Sequence, residues 1–134
     1  MNVSEITSTL VPVLKPTDTA LFAIDRMFES RLFDLPVVDE HGLYIGLVGY
    51  EALEELEEGA NINECRNDWQ TISVRAEDAV LRLLNSLQAD QLTVMPIVDE
   101  QGLYQYAIQI HDLVVWMAAQ SMLSQPGGLI TLLI

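Results

Sequence analysis

The sequence contains two closely similar ten-residue stretches that lie sixty residues apart. LPVVDEHGLY occupies residues 35–44, and MPIVDEQGLY occupies residues 95–104. An ungapped comparison of residues 14–56 with residues 74–116 gives eleven identities in forty-three pairs, where chance gives about three at ordinary residue frequencies. A repeat of this length predicts two copies of one supersecondary unit that bury a common core.

The first copy predicts a helix, a hairpin and a second helix. The apolar face of the first helix has helical spacing, and the hairpin is predicted from two apolar runs, residues 35–38 and 43–48, around the turn residues Asp-Glu-His-Gly. A second helix is expected through Leu53 and Leu56. The residues of the first helical face are Ala20, Leu21, Ala23, Ile24, Met27 and Phe28.

The second copy predicts the same order of elements. Residues 95–98 and 103–110 form its hairpin, residues 112–122 its closing helix, and residues 71–74 a leading strand. Each copy is therefore a β-α-β-β-α unit, and the fold class is α/β, or α+β in some schemes. The residues of its first helical face are Val80, Leu81, Leu83, Leu84 and Leu87.

One unit of about sixty residues buries little surface, so the two units are expected to pack sheet to sheet around a pseudo-twofold axis. Residues 59–70 show no periodicity and predict a connection. The apolar stretch at residues 129–134 predicts a further strand, which suggests a following domain. The predicted division is residues 1–60 for the first unit, 61–70 for the linker, 71–124 for the second unit and 125–134 for the start of a following domain or linker.

The composition excludes several classes of function. Six Lys and Arg residues stand against twenty Asp and Glu residues, a formal net charge of −14, which repels nucleic acids and anionic membranes. No apolar run is long enough to cross a bilayer, and the first residues lack the pattern of a signal peptide, so a cytoplasmic location is expected. Cys65 is the only cysteine, which excludes an intramolecular disulfide.

Neither catalysis nor metal binding is expected. No nucleophile with a base, glycine-rich phosphate loop or pair of catalytic carboxylates can be identified. Asp39, Glu40 and His41 could hold a divalent cation, but residues of this kind are also usual in surface turns. Because Asp99 repeats Asp39, architecture is the favoured explanation of this turn. We therefore expect no enzyme activity, no metal site and no obligatory cofactor.

The two hydrophobic-Pro-hydrophobic-Val-Asp motifs at residues 35–39 and 95–99 resemble those of the cystathionine-β-synthase (CBS) domain pair, or Bateman module. The resemblance covers most of the chain. It implies a regulatory module that binds an adenosine-containing ligand between its two units and passes a conformational change to an attached domain. The residues after Pro126 resemble the first strand of an ACT-type regulatory domain, which implies that the polypeptide is truncated before it.

Ligand-binding members of this family end the second hairpin strand with Gly-hydrophobic-hydrophobic-Thr-x-x-Asp, and the Asp accepts hydrogen bonds from the ribose hydroxyls. The first unit has Gly49 at the Thr position and Ala52 at the Asp position. The second unit keeps the carboxylate as Asp112, but has Gln109 for Thr and Tyr106 for Gly. The resemblance therefore implies one competent groove, at Asp112, whose role could instead be that of a helix N-cap.

The other residues of the expected ligand site are assigned from the resemblance. The family places the base against the opposite unit, which implies Leu32, Phe33 and Asp34 as its pocket, with Ala23 nearby; Leu32 and Phe33 could equally be core residues and Asp34 a turn residue. Since His111 and Arg31 are the nearest expected cations, adenosine, AMP or S-adenosylmethionine fits better than a triphosphate. The expected ligand-binding set is Asp112, Gln109, Ile110, His111, Leu32, Phe33, Asp34 and Asp18.

Two functions remain open at this stage. One is a ligand-sensing regulatory module, which Asp112 favours. The alternative is a ligand-free module that serves only dimerisation or interaction, which Gly49, Ala52, Tyr106 and Gln109 favour. In both, the apolar residues of the last helix predict a homodimer.

Overall fold

The computed structural model describes residues 1–124, with side chains described as far as Ser121. The first unit contains helix α1 (Ala20–Ser30), strands β1 (Asp34–Val38) and β2 (Tyr44–Gly49), and helix α2 (Tyr50–Glu54). The second unit contains β3 (Val74–Arg75), α3 (Val80–Ala89), β4 (Val94–Val98), β5 (Tyr104–Gln109) and α4 (Ile110–Ser124). This order of elements agrees with the predicted repeat. The strand predicted at residues 129–134 lies outside the described residues.

Both hairpins have the same register and the same turn. Strand β1 pairs antiparallel with β2, and β4 pairs antiparallel with β5, each with an irregularity one residue before its last pair. Gly42 and Gly102 have φ angles of 85° and 84°, a conformation that glycine adopts without the strain that a Cβ brings. The Asp39 carboxylate accepts hydrogen bonds from the His41 and Leu43 amides. The repeated Asp-x-x-Gly motif is therefore a turn device, as the sequence indicated.

The leading strands differ between the units. In the second unit β3 pairs parallel with β4, so the sheet order is β3-β4-β5. In the first unit the equivalent strand is a single parallel bridge between Leu14 and Val37. The two hairpin turns meet across the pseudo-twofold axis, where the Tyr44 amide donates to the Gly102 carbonyl at 3.1 Å and the Tyr104 amide donates to the Gly42 carbonyl at 2.9 Å.

The core faces of α1 and α3 are narrower than predicted. In α1 the buried residues are Ala20, Ala23 and Met27, at spacings that fit one line along a helix. Phe28 and Leu81 were both predicted on core faces, but they are 62% and 65% exposed. Both positions lie beside the line of buried residues on their helix, so the apolar spacing alone overstates the buried face.

The two short helices that precede the units were not predicted. Residues 59–70, expected to be an irregular connection, contain a 3₁₀ helix at Ile62–Asp68 with Ile62 and Cys65 buried. A matching 3₁₀ helix lies at Val3–Glu5. Each begins with a capping box. Each also donates its first amide to a carbonyl two residues before a long helix: Val3 to Asp78, ahead of α3, and Ile62 to Asp18, ahead of α1, both at 2.9 Å.

These contacts place the first residues of the chain on the second unit. The N-terminal segment crosses from the β3–α3 turn to the first sheet, where the Leu14 amide donates to the Pro36 carbonyl at 2.9 Å. Between Val3 and Leu14 the chain is one residue shorter than between Ile62 and Val74. Along residues 1–124, no helix has the length and apolar character needed to cross a membrane.

Candidate functional site

Asp112 is the only carboxylate among residues 1–121 that belongs to the buried class, with 5% of its surface exposed. Its Oδ2 accepts the Gln109 amide at 3.0 Å and the Thr9 amide at 3.2 Å, and its Oδ1 accepts the Thr9 hydroxyl at 3.2 Å. The Gln109 side-chain amide also donates to Thr9 Oγ1 at 2.8 Å. Asp112, Gln109 and Thr9 therefore form one network in which the buried charge has protein donors on both oxygens.

Asp112 is not the N-cap residue that the sequence suggested as its alternative role. Helix α4 begins at Ile110, so Asp112 is the third helical residue and Gln109 is the residue before the helix. A carboxylate at this position accepts the amide that precedes the helix, which is one half of a capping box. Asp112 therefore caps α4 by accepting the Gln109 amide, and it also holds the N-terminal segment through Thr9.

Sequence reasoning missed Thr9. It lies 103 residues from Asp112, and no spacing rule connects residues that far apart. A signal was present in the first residues, because Asn2-Val3-x-Glu5 matches Asn61-Ile62-x-Glu64 and extends the repeat upstream. That match would have placed the N-terminal segment beside the second unit, but only the tertiary structure brings Thr9 onto the carboxylate.

The outer edges of the two hairpins differ beside this network. In the first unit the Leu47 amide donates to the Gln70 carbonyl at 2.7 Å, and the Gln70 amide donates to the Leu47 carbonyl at 3.0 Å. Ala107 holds the equivalent register position, opposite Pro96 as Leu47 is opposite Pro36. For residues 1–124, no backbone hydrogen bond closes the outer edge at Ala107. We call this edge of the second hairpin open because its backbone groups are unpaired within the described part of the chain, although Ala107 is only 2% exposed and the N-terminal segment lies over it.

A cavity of about 340 Å³ lies along this open edge, between residues 8–13 and residues 104–107. Its counterpart in the first unit is closed by Trp69, which is 7% exposed and packs against Gly46. A Cβ at Gly46 would lie 2.9 Å from Trp69 Cε3, so this closure requires glycine. Tyr106 replaces Gly46 in the second hairpin and lines the cavity, and its partial burial raises the pKa of its phenol.

The expected base pocket lies in a different groove. Phe33 and Asp34 line a groove of about 510 Å³ that also contains Ala52. Phe33 contacts the Tyr50 ring, with centroids 6.4 Å apart, and Asp34 Oδ2 accepts the Thr93 hydroxyl at 3.2 Å. Burial raises the pKa of Asp34, and hydrogen bonds from Thr93 oppose that effect. The described hydrogen bonds and ring contacts join neither Phe33 nor Asp34 directly to Asp112.

The remaining expected site residues are spread over the fold. Ile110 and His111 are exposed in the first turn of α4, and Leu32 is a core residue with 6% of its surface exposed. Asp18 accepts the Lys15 amide in the turn before α1. Of the expected residues, only the consecutive run from Gln109 to Asp112 therefore lies together. Thr9 and Ala107, which were not expected, lie beside this run.

The acidic turn of the first hairpin has a structural explanation. The Leu43 amide, with smaller contributions that include the His41 amide, lowers the pKa of Asp39. His41 is exposed, and its Nε2 lies 3.5 Å from a Glu40 oxygen. Throughout the described part of the chain, no group of three or more His, Cys, Asp or Glu residues is arranged to hold a metal ion.

Comparisons with known proteins identify the fold. Residues 3–57 match the CBS domain family, and no curated relative matches the sequence. A similar solved structure is a CBS domain pair/ACT domain protein from Thermotoga maritima, with 22% identity, a TM-score of 0.79, and 90% of this chain and 98% of that chain covered.

Two further similar structures contain ligands. One is a CBS domain pair in complex with 5′-methylthioadenosine and S-adenosyl-L-methionine, with 16% identity, a TM-score of 0.72, and 90% of this chain and 98% of that chain covered. The other is CBSX2 in complex with AMP, with 19% identity, a TM-score of 0.72, and 89% and 96% covered. At these identities the likeness shows the fold alone.

Proposed function

Because the chain carries a CBS domain and has the fold of a CBS domain pair, we propose that it is a regulatory module that binds one adenosine-containing ligand at Asp112. The observation that carries this proposal is the buried Asp112 carboxylate, which is hydrogen-bonded to Thr9, a residue that lines the cavity at the open edge of β5. The first unit has neither feature, since it has Ala52 in place of the carboxylate and Gln70 on its edge.

The ribose is assigned to Asp112 by hydrogen-bond chemistry. An ionised carboxylate accepts hydrogen bonds only, and its two oxygens suit the two hydroxyl donors of a vicinal diol. In this structure Thr9 holds part of this capacity. A diol that takes both oxygens must therefore displace Thr9, because Oδ2 already accepts the Gln109 and Thr9 amides. The Gln109 side chain, which donates to Thr9 Oγ1, then has a free donor beside the sugar.

The adenine is assigned to the edge at Ala107. In the first unit the matching residue, Leu47, pairs with the amide and carbonyl of one residue, Gln70. By the same register, Ala107 offers its amide as a donor and its carbonyl as an acceptor, side by side on the edge of β5. Adenine presents the complementary pair, an N6 donor and an N7 acceptor. Guanine presents acceptors at both O6 and N7. Its O6 would therefore lie opposite the Ala107 carbonyl oxygen, and two acceptors form no hydrogen bond.

The charge of the site limits the phosphate count. The protein carries a net charge of −14, and Asp112 adds a buried negative charge. A triphosphate needs several cationic donors for neutralisation, whereas His111 is the nearest candidate on α4. Adenosine, AMP and S-adenosylmethionine are therefore the proposed ligands. The cavity of about 340 Å³ falls at the small end of the range that ligand sites occupy, roughly 300–1,000 Å³.

Isothermal titration calorimetry tests this proposal. Adenosine, AMP, S-adenosylmethionine, ATP and GMP are each titrated into the wild-type protein and into Asp112→Asn, which keeps the side-chain volume and loses the charge. We expect binding of at least one of the first three at one site per chain, weaker binding of GMP and ATP, and a loss of affinity of at least tenfold in Asp112→Asn. Asp25→Ala is the matched control, because Asp25 is exposed and has no described contact.

Heats indistinguishable from dilution for all five compounds would end the ligand-sensing proposal. The alternative function, a ligand-free dimerisation module, would then be preferred. It is favoured by Tyr106 in the cavity and by Val114 and Val115 of α4, which are 45% and 55% exposed. Both functions include a homodimer in the cytoplasm and no catalysis. Light scattering that shows a monomer at micromolar concentration would contradict the dimer.

A further inference from the structure

The N-terminal segment is fixed at both ends and crosses the site between them. Upstream, the Val3 and Ser4 amides donate to the Asp78 and Ala76 carbonyls, both at 2.9 Å, on the second unit. Downstream, Leu14 bridges to β1 of the first unit. Residues 7–13 therefore link the two units, and we call them the strap.

The strap is held weakly between these anchors. Thr7, Thr9, Leu10 and Val13 are exposed, and Leu10 is 94% exposed. Val11 is the one strap residue in the buried class. The hydrogen bonds described for the strap are those of Thr9, to Asp112 and from Gln109. Segments with few buried contacts open at the lowest free energy, so the position of the strap depends strongly on Thr9.

The Thr9 contacts coincide with the atoms that a sugar diol requires. Thr9 gives Asp112 a backbone donor and a hydroxyl donor, one on each carboxylate oxygen at 3.2 Å. Two ribose hydroxyls would also place one donor on each oxygen. Asp112 is 5% exposed with Thr9 in place, so the residue is covered until the strap moves.

From this coincidence we infer that Thr9 is a built-in competitor of the ligand: it latches the strap on Asp112 in the ligand-free protein, and ligand binding releases it. The inference rests on the proposed function, which supplies the ligand. Release frees the middle of the segment that joins the β3–α3 turn to β1. Ligand binding in one groove would therefore loosen the segment that connects the second unit to the first.

Competition has a measurable consequence for affinity. When only a fraction of the molecules has the site open, the apparent Kd equals the intrinsic Kd divided by that fraction. Thr9→Val removes the hydroxyl donor, keeps the shape of the side chain and leaves the backbone donor. We expect this substitution to lower the apparent Kd for AMP about tenfold, which corresponds to about 1.4 kcal/mol. Thr7→Val is the matched control, because Thr7 is on the same strap and has no described hydrogen bond.

The experiment combines AMP calorimetry with hydrogen exchange of the strap amides in the wild type, Thr9→Val and Thr7→Val. Without ligand, the strap should exchange several-fold faster in Thr9→Val than in the other two. AMP should speed strap exchange in the wild type, and it should bind Thr9→Val about ten times more tightly. AMP binding that appears only in Thr9→Val would also support the latch.

Two results would overturn the inference while leaving the proposed function intact. One is AMP binding with the same or weaker affinity in Thr9→Val, which would make Thr9 a bystander or a ligand contact. The other is AMP binding that leaves strap exchange unchanged or slower in the wild type. If adenosine, AMP and S-adenosylmethionine bind none of the three proteins, the proposed function fails, and the competitor role of Thr9 fails with it.

Discussion

Replacing Asp112 with alanine removes the acceptor of three hydrogen bonds at once. The Gln109 amide loses its partner at the start of α4, and the amide and hydroxyl of Thr9 lose theirs on the strap. The Gln109 side-chain amide keeps Thr9 Oγ1 as its acceptor. The substitution therefore removes the hydrogen bonds between the strap and α4, leaves the one from Gln109, and removes no apolar core side chain.

The loss of stability follows from these contacts. Loss of a capping interaction typically destabilises a protein by about 1 kcal/mol. Hydrogen bonds to a charged group contribute about 1.5–3 kcal/mol, and the low end applies here because Thr9 is exposed and water replaces its partner. The sum is roughly 2–3 kcal/mol. At roughly 3–4 °C per kcal/mol for a chain of this size, Tm should fall by about 6–12 °C.

Urea denaturation followed by tryptophan fluorescence measures this difference, and Asp25→Ala should stay within about 0.5 kcal/mol of the wild type. A double-mutant cycle with Thr9→Val isolates the contribution of the Thr9 hydroxyl, and we expect a coupling free energy of about 1 kcal/mol. Zero coupling together with a total loss near 1 kcal/mol would refute the latch geometry, since Asp112 would then act as a helix cap alone.

Three further predictions concern the fold. Gly46→Ala should lower the free energy of unfolding by about 1–3 kcal/mol, because its Cβ would lie 2.9 Å from Trp69 Cε3; unchanged urea denaturation would contradict this packing. Gln91→Gly should raise stability by up to about 1 kcal/mol in the same assay, since Gln91 has a φ of 52° in a region unfavourable to side chains. Burial raises the pKa of Tyr104 to about 12, so the unfolded chain loses this proton first, and its contribution to stability should fall from about pH 10 to 12. Absorbance titration at alkaline pH should show late ionisation of this tyrosine, and ionisation near pH 10 in the folded protein would contradict its burial.

Most of the fold could be predicted because the repeat encodes it locally. The hairpins follow from short apolar runs around Asp-x-x-Gly, and the Asp39 turn makes the contacts that its residues indicate. The helices α1 and α3 follow from apolar spacing. Their exposed faces could not be predicted, since the position of Phe28 relative to the sheet depends on how the units pack.

The candidate site could be predicted only in part. Asp112 could be identified because it occupies a position in a short motif, and a short motif can be recognised from consecutive residues without knowledge of the fold. The contrast between an open and a closed edge was not predicted. This contrast depends on the contact between Trp69 and Gly46 in the first unit. In the second unit it depends on the shorter N-terminal segment, which lies opposite Tyr106 across the cavity.

The sequence by itself determined the doubled unit, its hairpins and the single retained carboxylate, because turns, periodicity and motifs act over a few residues. Only the tertiary structure decided what Asp112 contacts. Thr9 reaches it across 103 residues, and such a pairing depends on where two anchored ends place the chain between them. The same physical reason explains the cavity, which exists because two similar units are closed by segments of different length and side-chain size.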